Sequence, residues 1–570
     1  MAKICKKIAS GLLAAGLLLG ALSGCGTTPA GSSESSSGTS SASSEASTES
    51  SGSGASGEAV ETGLPISEEP ITITVLSDNR ADISIGNDMP VIKELSARTN
   101  INIEWELLPI DATEKTTKLN VIFASGDIPD LVQIGDFNMA NRYGMQGLLL
   151  PLKDLIDEHA PNMVDTFNNP LKDDEIPYDI DVWGSITAKD GEIYNVPFIS
   201  ASNAIGAVWA MRTDWLEAVD MEVPETTDEL FEVLKAFKEK DPNGNGEQDE
   251  IPWGAGAGGK TGTITPIMTA FDAHMDLYID KATDTVKYGP VEENYKKGLE
   301  FLSKLYAEGL IEGDYLSATR DQWLARAGGD QMGMMFVWPG SGLGTSNQEL
   351  QKLNADFHFE PIKPFVSPSG SRAKDTKTAG AAVGARTSVS ATTKYPVEIM
   401  KFLDYCFSDE GYLLCNFGIE GDDYNMVDGV PTYTEKILNN PDGIDPEVIR
   451  IQQGTRWQVL PYENGWVDNY QAMEKSAPWT IAAWDTYKTK GMVEAPFPVL
   501  GLTEEELSTR ASIEQEINTY RDPMIDKFIM GEESLDNFDQ FVAGINNSGL
   551  EDLLKLLNTA YDEYKANTKK

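Results

Sequence analysis

A chain of 570 residues with 90 Asp and Glu against 45 Lys and Arg carries a formal net charge of −45. So acidic a surface repels phosphate backbones, and no basic stripe offsets it, which argues against a nucleic-acid partner. Residues 64–570 exceed what one hydrophobic core serves, so at least two lobes are expected, while three His and four Cys leave little for triad or thiolate-metal chemistry.

The N-terminus reads as an export signal. Lys3, Lys6 and Lys7 precede an apolar run from Ile8 to Leu22, shorter than the ~20 residues a spanning helix needs. Leu22-Ser23-Gly24-Cys25 then resembles the bacterial lipobox, whose cysteine takes a diacylglyceryl thioether and becomes the first residue after cleavage. Residues 1–24 are therefore expected to be a lipoprotein signal peptide, with Cys25 the lipidation site and the chain anchored on the outer face of the cell membrane. From Gly26 to Gly63 the sequence is almost entirely Ser, Gly, Ala, Thr and Glu, with Val60 its one large apolar residue. Such a stretch buries too little to fold, so 25–63 is read as a tether reaching roughly 35 Å.

The first folded elements alternate in type. "ITITVL" (71–76) predicts a strand, "VIKELSART" (91–99) a helix and "INIEWELL" (101–108) a second strand. A helix over 113–124 and a strand at "DLVQI" (130–134) complete β-α-β-α-β, the pattern of an α/β fold with a parallel sheet. Ligands of such sheets sit outside the carboxyl ends of the strands. Asp78, Asn79 and Asp136 stand there and could hydrogen-bond a hydroxylated ligand, although the same residues serve equally as turn formers.

A second αβ unit begins at Thr226, which with Glu229 forms a capping box. Leu230, Phe231, Val233, Leu234 and Phe237 then mark one helical face, and Pro242 stops the helix near Asp241. The loop that follows places Asp241, Asn243 and Asn245 at positions 1, 3 and 5 and Gly246 at the sharp turn of a calcium loop. It departs from an EF-hand at position 12, where Pro252 replaces the bidentate Glu, and carries Asp249 and Glu250 at positions 9 and 10 instead. An ion-free Asx-turn is the alternative. Directly afterwards, Gly254 to Thr261 fits G-x-x-x-x-G-K-T, but the stretch leaves a polar loop rather than a strand and no magnesium-holding Asp is apparent, so phosphate binding is set aside.

Cys406 and Cys415, in "YCFSDEGYLLCNFG", read as buried free thiols on two short helical pieces rather than as a bridge or metal ligands. His159, His274 and His358 are scattered, and no G-x-S-x-G elbow exists. With 90 acids a glycosidase pair can be imagined anywhere, so a surface glycoside hydrolase stays only as an alternative.

The segment "MRTDWLEAVDMEVPETTDELFEVLKAFKEKDPNGNGEQDEIP" resembles the matching part of family 1 extracellular solute-binding lipoproteins, the substrate-capturing components of carbohydrate ABC importers. "FASGDIPDLVQIGD", "GLLLPLKDLIDEHAPN", "DGEIYNVPF", "NFGIEGDDYNMVDGVPTY" and "FIMGEESLDNFDQFVAGINNSGLEDLLKLLNTAYDEY" extend the likeness from Phe123 to Tyr564. The resemblance implies a two-lobed periplasmic-binding-protein-like fold with a hinge and an interlobe ligand cleft. Lobe 1 would hold 66–200 plus 376–425, and lobe 2 would hold 201–375 plus 426–570 with amphipathic C-terminal helices. It further implies a non-enzymatic, monomeric protein that binds an oligosaccharide and docks on ABC permease subunits, a peptide or other polar solute being the alternative cargo. A structural Ca2+ is implied at Asp241, Asn243, Asn245, Asp249 and Glu250, with the carbonyl of Glu247 also coordinating.

Sugar capture needs flat aromatic platforms beside a few polar groups. Trp338, in "MGMMFVWPG", resembles the aromatic that family members place at the cleft. Tyr424 and Trp466 are added because they lie in irregular segments, whereas Trp105 and Trp215 fit strand and helix packing. Arg80, Arg142 and Arg320 are the cations that would suit an acidic sugar.

Overall fold

The pattern of apolar residues that predicts β-α-β-α-β is realised in a computed structural model that describes residues 63–80, 83–171, 178–255, 263–372, 383–441, 444, 446–455, 460, 463–464 and 478–568. All of them fall in one compact unit, Val60–Lys570. The signal peptide, Cys25, the tether and Trp466 lie outside the described residues.

The strands, in chain order, are β1 (Ile71–Ser77), β2 (Ile101–Leu107), β3 (Leu131–Gln133), β4 (Val196–Ser200), β5 (Val208–Arg212), β6 (Ile251–Trp253), β7 (Leu277–Asp280), β8 (Thr285–Tyr288), β9 (Met332–Val337), β10 (Phe359–Ile362), β11 (Val383–Val389), β12 (Tyr424–Val427), β13 (Val430–Tyr433) and β14 (Glu463–Asn464). Six form a first sheet in the order β14-β4-β11-β3-β1-β2, and four form a second in the order β10-β5-β9-β6. β7–β8 and β12–β13 are separate hairpins.

In the first sheet β1 runs parallel to both β2 and β3, joined by helices Pro90–Thr99 and Ala112–Ser125 as the sequence predicts. Successive residues of a strand face opposite ways, so Val75 packs with Val91, Ile92 and Leu95 while its neighbour Leu76 packs with Leu119, Phe123 and Val132. Both faces are thereby covered, and each buried Val, Leu or Ile contributes roughly 1.5–3 kcal/mol. Asn100, in the left-handed region at φ 59, ends the first helix. The sheet is mixed rather than purely parallel, because β11 arrives from far along the chain and runs antiparallel between β3 and β4.

The second sheet is built around aromatic packing. Trp209 on β5 meets Trp253 on β6 at 5.3 Å and Phe336 on β9 at 4.7 Å between ring centroids. Helix Thr227–Glu239 lies against this sheet with Leu230, Val233, Leu234 and Phe237 buried, and its Thr226–Glu229 capping box forms as predicted. Helices Glu504–Met530, Phe538–Asn547 and Leu550–Thr568 complete the same core, the last burying Leu550, Leu553 and Leu557. Among the described residues no helix is long and apolar enough to cross a membrane.

The chain passes between the two sheets at 200–208, from β4 to β5, again at 362–383, from β10 to β11, and a third time after β14. The segment 409–455 stays beside the first sheet: Gly454 lies against Met89, Val91 and Ile92, and β12–β13 packs on Phe417 with Ile437 and Ile449.

Candidate functional site

At the carboxyl end of β1 the polar residues are held in place by one another. Gln133, at the end of neighbouring β3, accepts the Asp78 amide through Oε1 at 2.9 Å and donates from Nε2 to Asp78 Oδ2 at 2.8 Å. Ser77 donates its hydroxyl to the same Oε1 at 3.3 Å, and Lys115 forms an ion pair with the other Asp78 oxygen. Asn79 accepts the Arg80 amide at 2.8 Å. Asp136 caps helix Phe137–Met145 by accepting the Met139 amide at 2.7 Å. Asp78 thus belongs to a closed carboxylate–amide–ammonium group, and Asp136 has a structural duty as a helix cap. Gln133 and Lys115 were not singled out from sequence; the signal for Gln133 is a lone polar residue inside the apolar run "DLVQI".

Trp338 directly follows β9 and keeps 43% of its surface exposed, although the strand before it is buried throughout. Its carbonyl accepts the amides of Gly342 and Leu343 at 3.0 and 3.1 Å, so the backbone is fixed while the ring faces solvent. Tyr424, expected at the ligand, is only 3% exposed: it pairs with Tyr433 across the β12–β13 hairpin and packs on Phe417 at 5.8 Å, which closes its ring off from solvent. Trp215 is fully buried against Phe237, and Trp105 on β2 donates to Asn87 at 2.9 Å. Arg142 lies 4.8 Å from its neighbour Tyr143's ring centroid, and Arg320 opens a helix capped by Thr319.

The 241–250 loop folds around its own amides. Asp241 accepts Asn245 N at 3.2 Å and Gly246 N at 3.0 Å, Asn243 Oδ1 accepts Asn245 N at 3.0 Å, and Asn245 Oδ1 accepts Glu247 N at 2.7 Å. Gly246 takes φ 81, as a tight turn requires. Asp249 accepts from Asn245 Nδ2 at 2.9 Å and Gln331 Nε2 at 2.7 Å, and these bonds hold its carboxyl below the ordinary range. Glu250 is shifted the other way, by burial and by the charges of Asp241 and Asp249, and its Oε1 is buried without a hydrogen-bond partner. Among the described residues no group of three or more His, Cys, Asp or Glu is placed to hold a metal together. Asp241, Asp249 and Glu250 do not converge as a ligand trio in this arrangement, and the feature a hard cation would satisfy is the orphaned Glu250 oxygen under the charges of Asp241 and Asp249, with the Asn243 and Asn245 amide oxygens beside it in the loop.

The glycine-rich stretch needs one correction. A strand does precede Gly254, since β6 is short but buried at Pro252 and Trp253. The amides that open the stretch are already committed, Gly254 N to Met334 O at 2.9 Å and Ala255 N to the Glu312 carboxylate at 2.9 Å. Residues 256–262 lie outside the described residues. Cys406 and Cys415 are buried free thiols, as expected, and the Cys415 thiol together with burial pushes Cys406 up. The three histidines sit beside different carboxylates, His159 by Glu158, His274 by Glu494 and His358 by Glu360.

The profile of the bacterial extracellular solute-binding protein family matches residues 87–412, more than half of the chain. The chain belongs to this family. Among curated relatives, the fructooligosaccharide ABC transporter substrate-binding protein FusA of Streptococcus pneumoniae is 25% identical over 500 residues, covering 84% of this chain and 88% of FusA. Lipoprotein LipO of Bacillus subtilis is 26% identical over 526 residues, covering 89% of this chain and 95% of LipO. Among solved structures, the alginate-binding protein AlgQ2 without calcium ion superposes with a TM-score of 0.71 at 26% identity, covering 87% of this chain and 99% of AlgQ2. A FusA EF-hand mutant in complex with fructo-nystose shares the fold at a TM-score of 0.69 and 22% identity. The two-sheet α/β architecture of this solute-binding protein is therefore that of periplasmic-binding-protein-like receptors.

Proposed function

We propose that this solute-binding protein captures an oligosaccharide outside the cell and delivers it to the permease subunits of an ABC importer. The observation that carries the reading is the near end-to-end likeness to FusA, whose name assigns it fructooligosaccharide and an ABC transporter. The relatives' cargoes differ, and so the reading stops at the class. Trp338 supplies the exposed aromatic face a pyranose or furanose ring stacks on, while Asn79, and the lone pairs that Asp78 and Asp136 keep beyond their bonds to Gln133, Lys115 and Met139, are the polar groups at the strand ends.

The two sheets are the cores of two lobes joined where the chain crosses between them, with one change to the bounds expected from sequence (66–200 plus 376–425, and 201–375 plus 426–570): the segment 426–455 and β14 go with the first sheet. Ligand binds between the lobes and closes them. The receptor's task requires no catalysis, since selection and closure suffice for an importer's receptor. Cys25 carries the lipid that holds the protein at the membrane's outer face, and the body acts as a monomer.

Asp241, Asn243, Asn245, Asp249 and Glu250, with the Glu247 carbonyl, would hold a calcium ion whose role is to neutralise those carboxylates and brace the loop. The orphaned Glu250 oxygen and the EF-hand of the FusA neighbour support that assignment.

A thermal-shift screen of residues 64–570 against a glycan library, with product analysis in the same wells, tests the function. A glycan that raises the unfolding temperature without being cleaved is the expected result. Cleavage would move the reading to a glycoside hydrolase, and a response only to peptides or other solutes would replace the cargo.

A further inference from the structure

The acidic loop does not stand alone: two of its residues are gripped by a dipeptide from a different part of the chain. Asn243 donates from Nδ2 to the Asp330 carbonyl at 3.0 Å, and Asp249 accepts from Gln331 Nε2 at 2.7 Å. Asp330 and Gln331 form the turn that leads into β9, and the Gln331 carbonyl in turn accepts the Ile251 amide at 2.7 Å, at the start of β6. The turn is fixed from behind. Asp330 sits in the left-handed region at φ 64, and its carboxylate accepts from the fully buried Arg212 at 2.5 Å and from Trp215 Nε1 at 3.4 Å. Arg212 is itself held by Asp214 and lies 5.0 Å from the Phe357 ring centroid.

Asp249 offers two oxygens: Oδ1 accepts from the Asn245 amide within the loop and Oδ2 from Gln331 outside it. The Gln331 bond is the one that fixes the carboxylate relative to the rest of the fold. Resting on the calcium reading above, we infer that Gln331 is a positioning residue of the ion site, orienting the Asp249 carboxylate from the base of β9. A group that touches no ion yet orients a ligating carboxylate commonly sets affinity by 10–100-fold. Trp338 directly follows the same strand, so the ion loop and the exposed aromatic flank opposite ends of one buried, six-residue element.

The test is calcium titration calorimetry on residues 64–570, wild type against Q331M, which keeps the length of the side chain and removes its donor. Gln331 is only partly buried, so the variant is expected to fold, and Q331A gives the same comparison should it not. Calcium affinity is expected to fall at least tenfold, with the unfolding temperature in chelator near that of the wild type. Calcium affinity within twofold of wild type would overturn the role given to Gln331 while leaving the calcium site standing. A wild-type chain that binds no calcium would overturn the ion reading itself and this inference with it.

Discussion

Two acidic places in the molecule solve the same electrostatic problem differently. At the end of β1, Asp78 has its charge matched by Lys115 and its remaining oxygen and amide taken by Gln133. In the 241–250 loop, the charges of Asp241 and Asp249 both act on Glu250, and among the described residues no lysine or arginine pairs with them. The first group is neutralised by an ammonium, its Asp78 Oδ1 being held by that ion pair and by no hydrogen bond. The second has hydrogen bonds enough to shape the loop but leaves a buried carboxylate oxygen unsatisfied, which is costly inside a protein unless a cation arrives.

The difference is sharpest under chelation. If the loop binds calcium, saturating ion at about 1,000 times its Kd adds about 4 kcal/mol, so chelator should lower the unfolding temperature clearly. Sugar binding should survive, and D241A should erase the calcium-dependent shift; equal melting with and without chelator would leave an ion-free Asx-turn.

A buried acid outside both places gives a second contrast. Asp404 accepts the Met163 amide and Asn162 Nδ2, both at 2.8 Å, yet burial pushes its carboxyl up to about 6. Because the folded value lies above the unfolded one, the folded state binds the extra proton. Stability from this group is therefore gained as pH falls from about 6 towards the usual 3.8 and is lost as pH rises through 6, a swing of about 3 kcal/mol. D404N should flatten that part of the stability–pH curve, measured by denaturant unfolding at pH 4.5 and 7.5. An unchanged slope would place the shift elsewhere.

Within the closed group, Q133L leaves the Asp78 amide and Ser77 hydroxyl without their acceptor and should cost about 2 kcal/mol, equally with and without calcium. A loss seen only in chelator would join the two places that the comparison separates. W338A should have the smallest effect on folding, since the ring is 43% exposed, while weakening a bound glycan about tenfold by calorimetry. Unaltered affinity would remove Trp338 from the ligand site.

Much of this was legible in the sequence because the physics is local. Strict placement of Ile73, Val75, Ile101 and Ile103, with helical spacing between them, is enough to predict a βαβ sheet, and Thr226 with Glu229 announces its helix by side-chain chemistry alone. β11 was not legible, since its partners β3 and β4 lie far away in sequence. Tyr424 was expected in an irregular segment and lies buried on β12, for a reason the sequence does carry. Asp428 and Gly429, at φ 52 and 84, are a hairpin turn of the Asp-Gly kind, which sets Tyr424 opposite Tyr433 and turns both onto Phe417. The short β6 was hidden by its polar approach and by Pro252. Gln331 was invisible for a different reason, because its contact with Asp249 exists only after β6 and β9 have paired.

The account's central claim is capture without chemistry. Titration calorimetry of residues 64–570 with purified oligosaccharides, followed by chromatography of the same samples, tests it most directly. The account predicts saturable one-to-one binding to at least one oligosaccharide, recovered intact. Heat that continues with turnover and shortened sugars in the chromatogram, or no oligosaccharide bound at all, would contradict it.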